Sequence, residues 1–142
     1  MRPLSIYVLL QCSWGIIQTI LGLVLFLRFF NAPHEIYHGA IHTKWNLNEG
    51  ISLGLFIFTP DKEEEWCRQM AVHEYGHTWQ SLMLGPFYLA VIGIPSIIWS
   101  KFPKCIQMRK DKKLPYSAFY TEKWADTLGK RMVELAQKEG YL

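Results

Sequence analysis

The sequence predicts one mainly α-helical domain that contains a small antiparallel β-hairpin. Its 142 residues are enough for a single domain. Long apolar or amphipathic stretches with helical spacing cover 4–30, 62–84 and 117–138. Strand-like runs with turn residues between them occur only in 33–60.

The helix predicted at 62–84 carries the motif H-E-x-x-H at His73, Glu74 and His77. Residues four apart lie on one helix face, so the two histidines can bind one zinc ion through neutral imidazoles. Glu74 lies about 100° around the helix, where a carboxylate can act as general base on zinc-activated water without being a ligand. Gly76 costs about 1 kcal/mol relative to alanine inside a helix, which indicates close approach of another backbone or a substrate. Two surface histidines on an ordinary amphipathic helix are the alternative interpretation.

A catalytic zinc site needs a third protein ligand and leaves the fourth position to water. Glu122 and Asp126 share one face of the helix predicted at 117–138. We expect Glu122 to be the third ligand. We expect Asp126 to accept a hydrogen bond from the second ring nitrogen of a ligand histidine and so fix its tautomer. A solvated polar face is the alternative for this pair.

Two motifs, H-E-x-G-H at 73–77 and E-x-x-x-D from Glu122 to Asp126, together resemble those of the gluzincin metallopeptidases. The most similar group is the membrane-bound one that includes the CAAX prenyl proteases and the heat-shock quality-control peptidases. The likeness covers about 66–81 and 118–130. It implies a minimal zincin-like fold with His73, His77 and Glu122 as ligands, Glu74 as base and Asp126 as a supporting residue.

The resulting functional expectation is a membrane-associated zinc endopeptidase with one zinc ion and a polypeptide substrate that is unfolded or close to the membrane. The residue that stabilises the oxyanion is open among Tyr116, Tyr120, His38 and His42. Two other classes stay open as well. One is a non-catalytic membrane protein with a structural zinc site, and the other is a zinc hydrolase acting on a lipid or a small amide.

The stretch 4–30 is predicted to be an N-terminal membrane helix, because no charge interrupts it between Leu4 and Leu27. A signal peptide is disfavoured, because the apolar run is long and ends in Arg28-Phe29-Phe30 without a small-residue cleavage site. A buried core helix is the alternative suggested by the faint polar stripe of Gln11 and Gln18.

The region 33–60 is predicted to form the hairpin, with strands at 36–42 and 51–58 and a turn at 46–50. His34, His38 and His42 recur every four residues in this region. We interpret them as strand or cleft residues and not as a second metal site, because Pro33 and Gly39 oppose a helix here.

The apolar segment 86–100 is shorter than a membrane span, and we expect it to be interfacial or re-entrant. If this segment crossed the whole bilayer, Glu122 would lie on the opposite side of the membrane from His73 and His77. A basic linker is predicted at 101–116 from Lys101, Lys104, Arg109, Lys110, Lys112 and Lys113. Such a cluster beside a membrane favours the cytoplasmic side and a lipid bilayer as partner. Without interleaved aromatic residues it does not indicate nucleic acid. The oligomeric state is not determined by the sequence.

Overall fold

The computed structural model describes residues 3–140, which form six α-helices and a four-stranded sheet. The helices are α1 (Pro3–Ser13), α2 (Ile16–Arg28), α3 (Glu64–Leu84), α4 (Ile94–Lys101), α5 (Pro103–Asp111) and α6 (Tyr120–Glu139). The strands are β1 (His34–Tyr37), β2 (Ala40–Trp45), β3 (Ile51–Leu53) and β4 (Phe56–Pro60). Short 3₁₀ turns occupy Gly85–Phe87 and Tyr116–Ala118, and a π-helical turn occupies Leu89–Gly93. The prediction of a mainly helical chain with a small sheet is confirmed.

The sheet is mixed, so the prediction of a simple antiparallel hairpin is wrong. Its strand order is β1-β2-β4-β3, with β1–β2 and β3–β4 antiparallel and β2–β4 parallel. Each of the two predicted strands, 36–42 and 51–58, instead contains a tight turn and forms a hairpin of two short strands. In the first, His38 and Gly39 both have positive φ, as in a two-residue type I′ turn. In the second, Gly54 has φ +60 at the first turn position, where a side chain would collide with Thr19.

The core of the sheet is aromatic and apolar. Trp45 stacks on Phe58, with ring centroids 4.9 Å apart, and both residues are buried together with Phe56. Phe26 near the end of α2 and Phe29 just after it pack against this cluster. The sheet therefore follows the usual arrangement of apolar groups inside.

The stretch 4–30 is not one helix, which corrects the prediction of a single N-terminal membrane helix there. It bends by 94° between Leu4–Ser13 and Ile16–Arg28. The bend is stabilised by polar contacts, because the Gln11 side chain donates to the carbonyl of Thr78 while Gln18 donates to Ser81 and to the carbonyl of Gly85. Both glutamines are fully buried against α3.

Within residues 3–140 no single helix has the length and hydropathy that a membrane crossing requires. Two pairs of consecutive helices meet these criteria only when they are taken together. One is the α1–α2 pair, and the other joins Glu64–Phe87 to Leu89–Lys101 across a bend of 119°.

Helices α3 and α6 pack with their backbones nearly in contact, and this packing positions the candidate site. A Cβ added at Gly76 would collide with the carbonyl of Ala125, and one at Gly129 would collide with the carbonyl of Val72. The prediction that another backbone approaches Gly76 is therefore confirmed. At this close crossing, the side of α6 that carries Glu122 and Asp126 lies against the histidines of α3.

After α3 the chain turns at Gly85, whose φ is +53 and whose missing side chain leaves room for the Trp14 ring. The predicted apolar segment 86–100 forms the π-helical turn and α4, while the predicted linker 101–116 is largely the helix α5, which corrects the linker prediction. Pro103 suits the first turn of a helix, and the basic residues at its end suit the negative end of the helix dipole.

Candidate metal centre

The side chains of His73, His77 and Glu122 meet at the α3–α6 crossing. One ligand atom from each residue lies within 4.8 Å of the other two. The Oε2 atom of Glu122 is 2.8 Å from Nε2 of His73 and 3.2 Å from Nε2 of His77. The sequence pattern placed the two histidines on one face, and the crossing brings the carboxylate to both of them.

The second ring nitrogen of each histidine also has a partner. Nδ1 of His73 is 2.7 Å from Oδ1 of Asp126, so the contact expected for Asp126 is present. Nδ1 of His77 donates to Oε1 of Gln80 at 2.6 Å, and the amide group of Gln80 donates to the carbonyl of Thr121. These contacts hold both rings with Nε2 toward Glu122, which is the arrangement that ligand histidines need.

The ionisable groups of the cluster shift one another's pKa values in the directions that favour their charged forms. Burial would lower the pKa of His73, but hydrogen bonds to Asp126 and Glu122 outweigh it and raise the pKa to about 10. Burial would raise the pKa of Glu122, but hydrogen bonds from both histidines hold it well below its usual range. The hydrogen bond from His73 likewise lowers the pKa of Asp126. A metal ion at Nε2 of His73 therefore has to displace a proton at neutral pH.

The donor set fits zinc. Two imidazole nitrogens and one carboxylate oxygen are ligands that zinc prefers, and three protein ligands leave a fourth position open. Tetrahedral ligands about 2.1 Å from a zinc ion stand about 3.4 Å from one another. The nitrogen–oxygen contacts of 2.8 and 3.2 Å need to widen by less than about 1 Å.

Glu74 lies next to this cluster without belonging to it. It is only 4% exposed, and burial raises the pKa of its carboxyl group. Gly50, just before β3, leaves room for the carboxylate, since a Cβ there would collide with Oε1 of Glu74. No hydrogen bond joins this carboxylate to another side chain or backbone group within residues 3–140. The group can therefore take up a proton without first breaking a contact.

Of the four residues considered for oxyanion stabilisation, Tyr116 alone contacts the cluster. Its hydroxyl donates to Oε1 of Glu122 at 3.3 Å, and burial together with the charge of Glu122 raises its pKa. Tyr120 instead donates to the carbonyl of Val91. His38 lies in the β1–β2 turn, and His42 contacts Glu35 and Thr59.

The three histidines of the sheet region do not gather around a common point. His34 is in β1, His38 is in the turn and His42 is in β2. Among residues 3–140, only His73, His77 and Glu122 form a group that can hold a metal ion. The interpretation of these histidines as strand or cleft residues agrees with this placement.

Three residues near the site were missed by the sequence interpretation. Gln80 is three residues after His77, so its position on the same helix face was a usable signal. Gly50 and Tyr88 had no such signal, because they reach the site from other elements. Tyr88 is buried, donates to the carbonyl of Ser52, and has its pKa raised by burial and by the charges of Glu74 and Glu122.

Comparison of the chain with protein-family models, with curated proteins and with solved structures gives no match.

Proposed function

We propose that the protein is a membrane-associated, zinc-dependent metallopeptidase that cleaves polypeptides near a membrane. His73, His77 and Glu122 hold one zinc ion, and Asp126 and Gln80 hold the two histidines. The resemblance to gluzincins supports this proposal, and so does the set of donor atoms at the α3–α6 crossing.

The observation that carries the proposal is the position of Glu74. A purely structural zinc site uses its carboxylates as ligands or leaves them in solvent. Glu74 instead is buried beside the ligands, outside the ligand group and without a hydrogen-bond partner among the described residues. A raised pKa brings a carboxylate closer to neutral pH, where general bases work best.

The proposed chemistry divides between the ion and the side chains. Zinc, when bound, polarises a carbonyl group and lowers the pKa of water. The carboxylate of Glu74 accepts the proton of the attacking water and then delivers it to the leaving amine. The hydroxyl of Tyr116, already directed to Glu122, is the donor placed to stabilise developing negative charge.

Membrane association is supported by an exposed apolar surface around buried polar groups. Gln11, Gln18 and Ser81 are fully buried, whereas many large apolar residues of the same helices face outward. The exposed apolar residues are Leu9, Leu10, Trp14, Ile16, Ile17, Ile20, Leu21, Leu23, Val24 and Leu27 in the N-terminal part, and Phe87, Val91, Ile94, Ile97, Ile98 and Phe102 after α3. Exposed apolar residues in such number are typical of proteins that interact with a membrane or another protein. The basic residues of α5 favour a membrane and its cytoplasmic side.

Replacing Glu74 by glutamine tests the catalytic role. The variant keeps size and hydrogen-bonding capacity but has no basic carboxylate. We expect zinc content and folding to be retained while peptide hydrolysis falls by about 10²–10⁴-fold. Hydrolysis is followed by mass spectrometry on a library of unfolded and membrane-tethered peptides.

Glu63→Gln is the matched control, because Glu63 lies in the same chain segment but is exposed and remote from the ligands. Equal cleavage of one peptide by wild type and Glu74→Gln would refute the mechanism. Zinc binding without any peptidase activity, but with hydrolysis of lipid esters or small amides, would favour the lipid or amide hydrolase. Zinc binding with no hydrolysis at all would favour the structural zinc site.

A further inference from the structure

A pocket lies beside the C-terminal half of α5 and the turn that follows it. We call it the basic pocket. It is a shallow, solvent-open depression of about 320 Å³, lined by Ile106, Arg109, Lys110, Lys113 and Leu114. Three cations and two apolar side chains therefore surround one cavity. The zinc chemistry proposed above uses none of them.

Arg109 is held in place by several contacts of its guanidinium group. Its guanidinium group donates to the carbonyl of Trp99 at 3.1 Å and to that of Ser100 at 3.4 Å. It also stacks on the rings of Trp99 and Tyr116, at 5.1 and 5.3 Å from their centroids. These contacts fix the guanidinium group at the pocket that Arg109 lines. A positioned guanidinium group suits the oxygens of a phosphate group.

Lys113 occupies a backbone position that normally belongs to glycine. Its φ is +50, and it ends α5 in a Schellman motif, in which Leu114 N–H donates to the carbonyl of Arg109 and Lys113 N–H to that of Lys110. A left-handed conformation costs a residue other than glycine about 1–2 kcal/mol. Strain of this kind tends to be retained where a side chain has a function. Here it places a third cation at the pocket.

The surroundings indicate which phosphate compound fits. Ile97, Ile98 and Phe102 are exposed apolar residues of the chain that leads directly into α5. The basic pocket therefore lies at the border between an apolar surface and a cationic one, and its own lining includes Ile106 and Leu114. Phospholipids combine a phosphate with hydrocarbon in the same arrangement, whereas a nucleic acid backbone offers no hydrocarbon chains.

We propose that the basic pocket binds the phosphate group of an anionic phospholipid, with Arg109 as the positioned donor and Lys110 and Lys113 as supporting cations. This proposal rests on the membrane association proposed above and is independent of the peptidase chemistry. The pocket lies one side chain from the metal centre, because Arg109 stacks on Tyr116 and Tyr116 donates to Glu122.

The test uses the full chain in a neutral detergent and titrates it, by calorimetry, with short-chain phosphatidylglycerol. Lys113→Gly is the main variant, because glycine suits the positive φ and the helix end is retained. One cation near an anionic surface contributes a free energy that corresponds to about a fivefold change in affinity. We expect Lys113→Gly to weaken binding about fivefold and Lys110→Gln/Lys113→Gly about 25-fold. Lys112→Gln removes the same charge from an exposed residue that does not line the pocket, and we expect it to change affinity by less than about twofold, as for a solvent-screened charge.

Equal losses in Lys112→Gln and Lys113→Gly would overturn the proposal in favour of diffuse charge attraction. Short-chain phosphatidylcholine, inorganic phosphate and a single-stranded oligonucleotide are titrated in parallel. Binding of any of these as tight as that of phosphatidylglycerol would also overturn it, since the pocket would then not select an anionic lipid.

Flotation with vesicles separates this proposal from membrane association itself. Wild type that floats with phosphatidylcholine vesicles but does not prefer phosphatidylglycerol would leave membrane association standing and refute the pocket. Wild type that floats with neither lipid would refute membrane association. Stronger flotation with phosphatidylglycerol, lost in Lys110→Gln/Lys113→Gly, is the result expected.

Discussion

Helix α3 buries polar side chains at two places, and the two places differ in kind. Toward its C-terminus, Thr78 and Ser81 meet Gln11 and Gln18 of the N-terminal helices; we call this group the amide cluster. One turn earlier, His73 and His77 meet Glu122 and Asp126 of α6; we call this group the metal cluster.

The amide cluster consists of neutral side chains that are joined to one another and to the backbone by hydrogen bonds. Gln11 donates to the carbonyl of Thr78 and accepts from Ser81, while Gln18 donates to Ser81 and to the carbonyl of Gly85. Such contacts offset the cost of burying polar groups and fix helix positions. The Oε1 atom of Gln18 is buried without a hydrogen-bond partner among residues 3–140, but the cluster contains no imidazole or carboxylate that could bind zinc.

The metal cluster is ionisable and converges on one point. A single oxygen of Glu122 lies within 3.2 Å of the Nε2 atoms of both histidines. Three potential ligands compete for protons that a metal ion can replace. Both clusters are buried, so what distinguishes the candidate metal site is the convergence of its ligand atoms.

The largest expected effect is the loss of zinc from the metal cluster when its carboxylate ligand is removed. Glu122→Ala leaves only two protein ligands, so we expect zinc affinity to fall by more than about 100-fold, beyond the effect of losing an outer partner. Competition with a chromogenic chelator measures the affinity, and Glu134→Ala on the exposed side of α6 is the control. Unchanged stoichiometry and affinity in Glu122→Ala would show that the third ligand has been misassigned.

A smaller loss is expected when the ligand itself is kept but its support is removed. Asp126→Ala deprives Nδ1 of His73 of its partner, and we expect zinc affinity or activity to fall by about 10–100-fold without unfolding. Asp126→Asn restores a hydrogen-bond acceptor without the charge and should recover part of the loss. If Asp126→Ala matches wild type in both measurements, Asp126 is an ordinary solvated residue.

The smallest effect on the metal is expected from the amide cluster. Gln18→Ala removes the hydrogen bonds to Ser81 and to the carbonyl of Gly85, and we expect a loss of about 1–3 kcal/mol in the free energy of unfolding. Zinc affinity should stay within about twofold, because no contact of Gln18 reaches a ligand. Ile17→Ala, at an exposed neighbouring residue, is the control in denaturant unfolding. A zinc loss as large as that of Asp126→Ala would erase the distinction between the clusters.

We expect the proposed membrane association to depend on the helices that the amide cluster holds together. We expect the chain to stay in the membrane fraction during carbonate extraction, because its N-terminal helices expose apolar residues around Gln11 and Gln18. Ile17→Lys/Ile20→Lys, within the exposed surface, should release more protein than Lys123→Gln on α6. Full release of wild type by carbonate would contradict the proposal.

Several features of the fold and the site were determined by local sequence. The pairing of His73 with His77 and of Glu122 with Asp126 follows from helical periodicity, which depends on near neighbours in the chain. The end of α6 at Gly140, whose φ is +71, follows from the freedom of glycine in the same way. The prediction that Asp126 contacts one of the two histidines agrees with its contact to His73, whereas a role in supporting a metal ligand stays a prediction.

Other features were decided only by contacts between distant segments. The bend between α1 and α2 depends on α3 offering partners to Gln11 and Gln18, and the parallel pairing of β2 with β4 depends on how two hairpins meet. Gly50, just before β3, lies against the Glu74 carboxylate, and Asp126 contacts His73 rather than His77 because of where α6 crosses α3. Periodicity specifies which face a residue occupies, but the partner of that face is set by the packing of the whole chain.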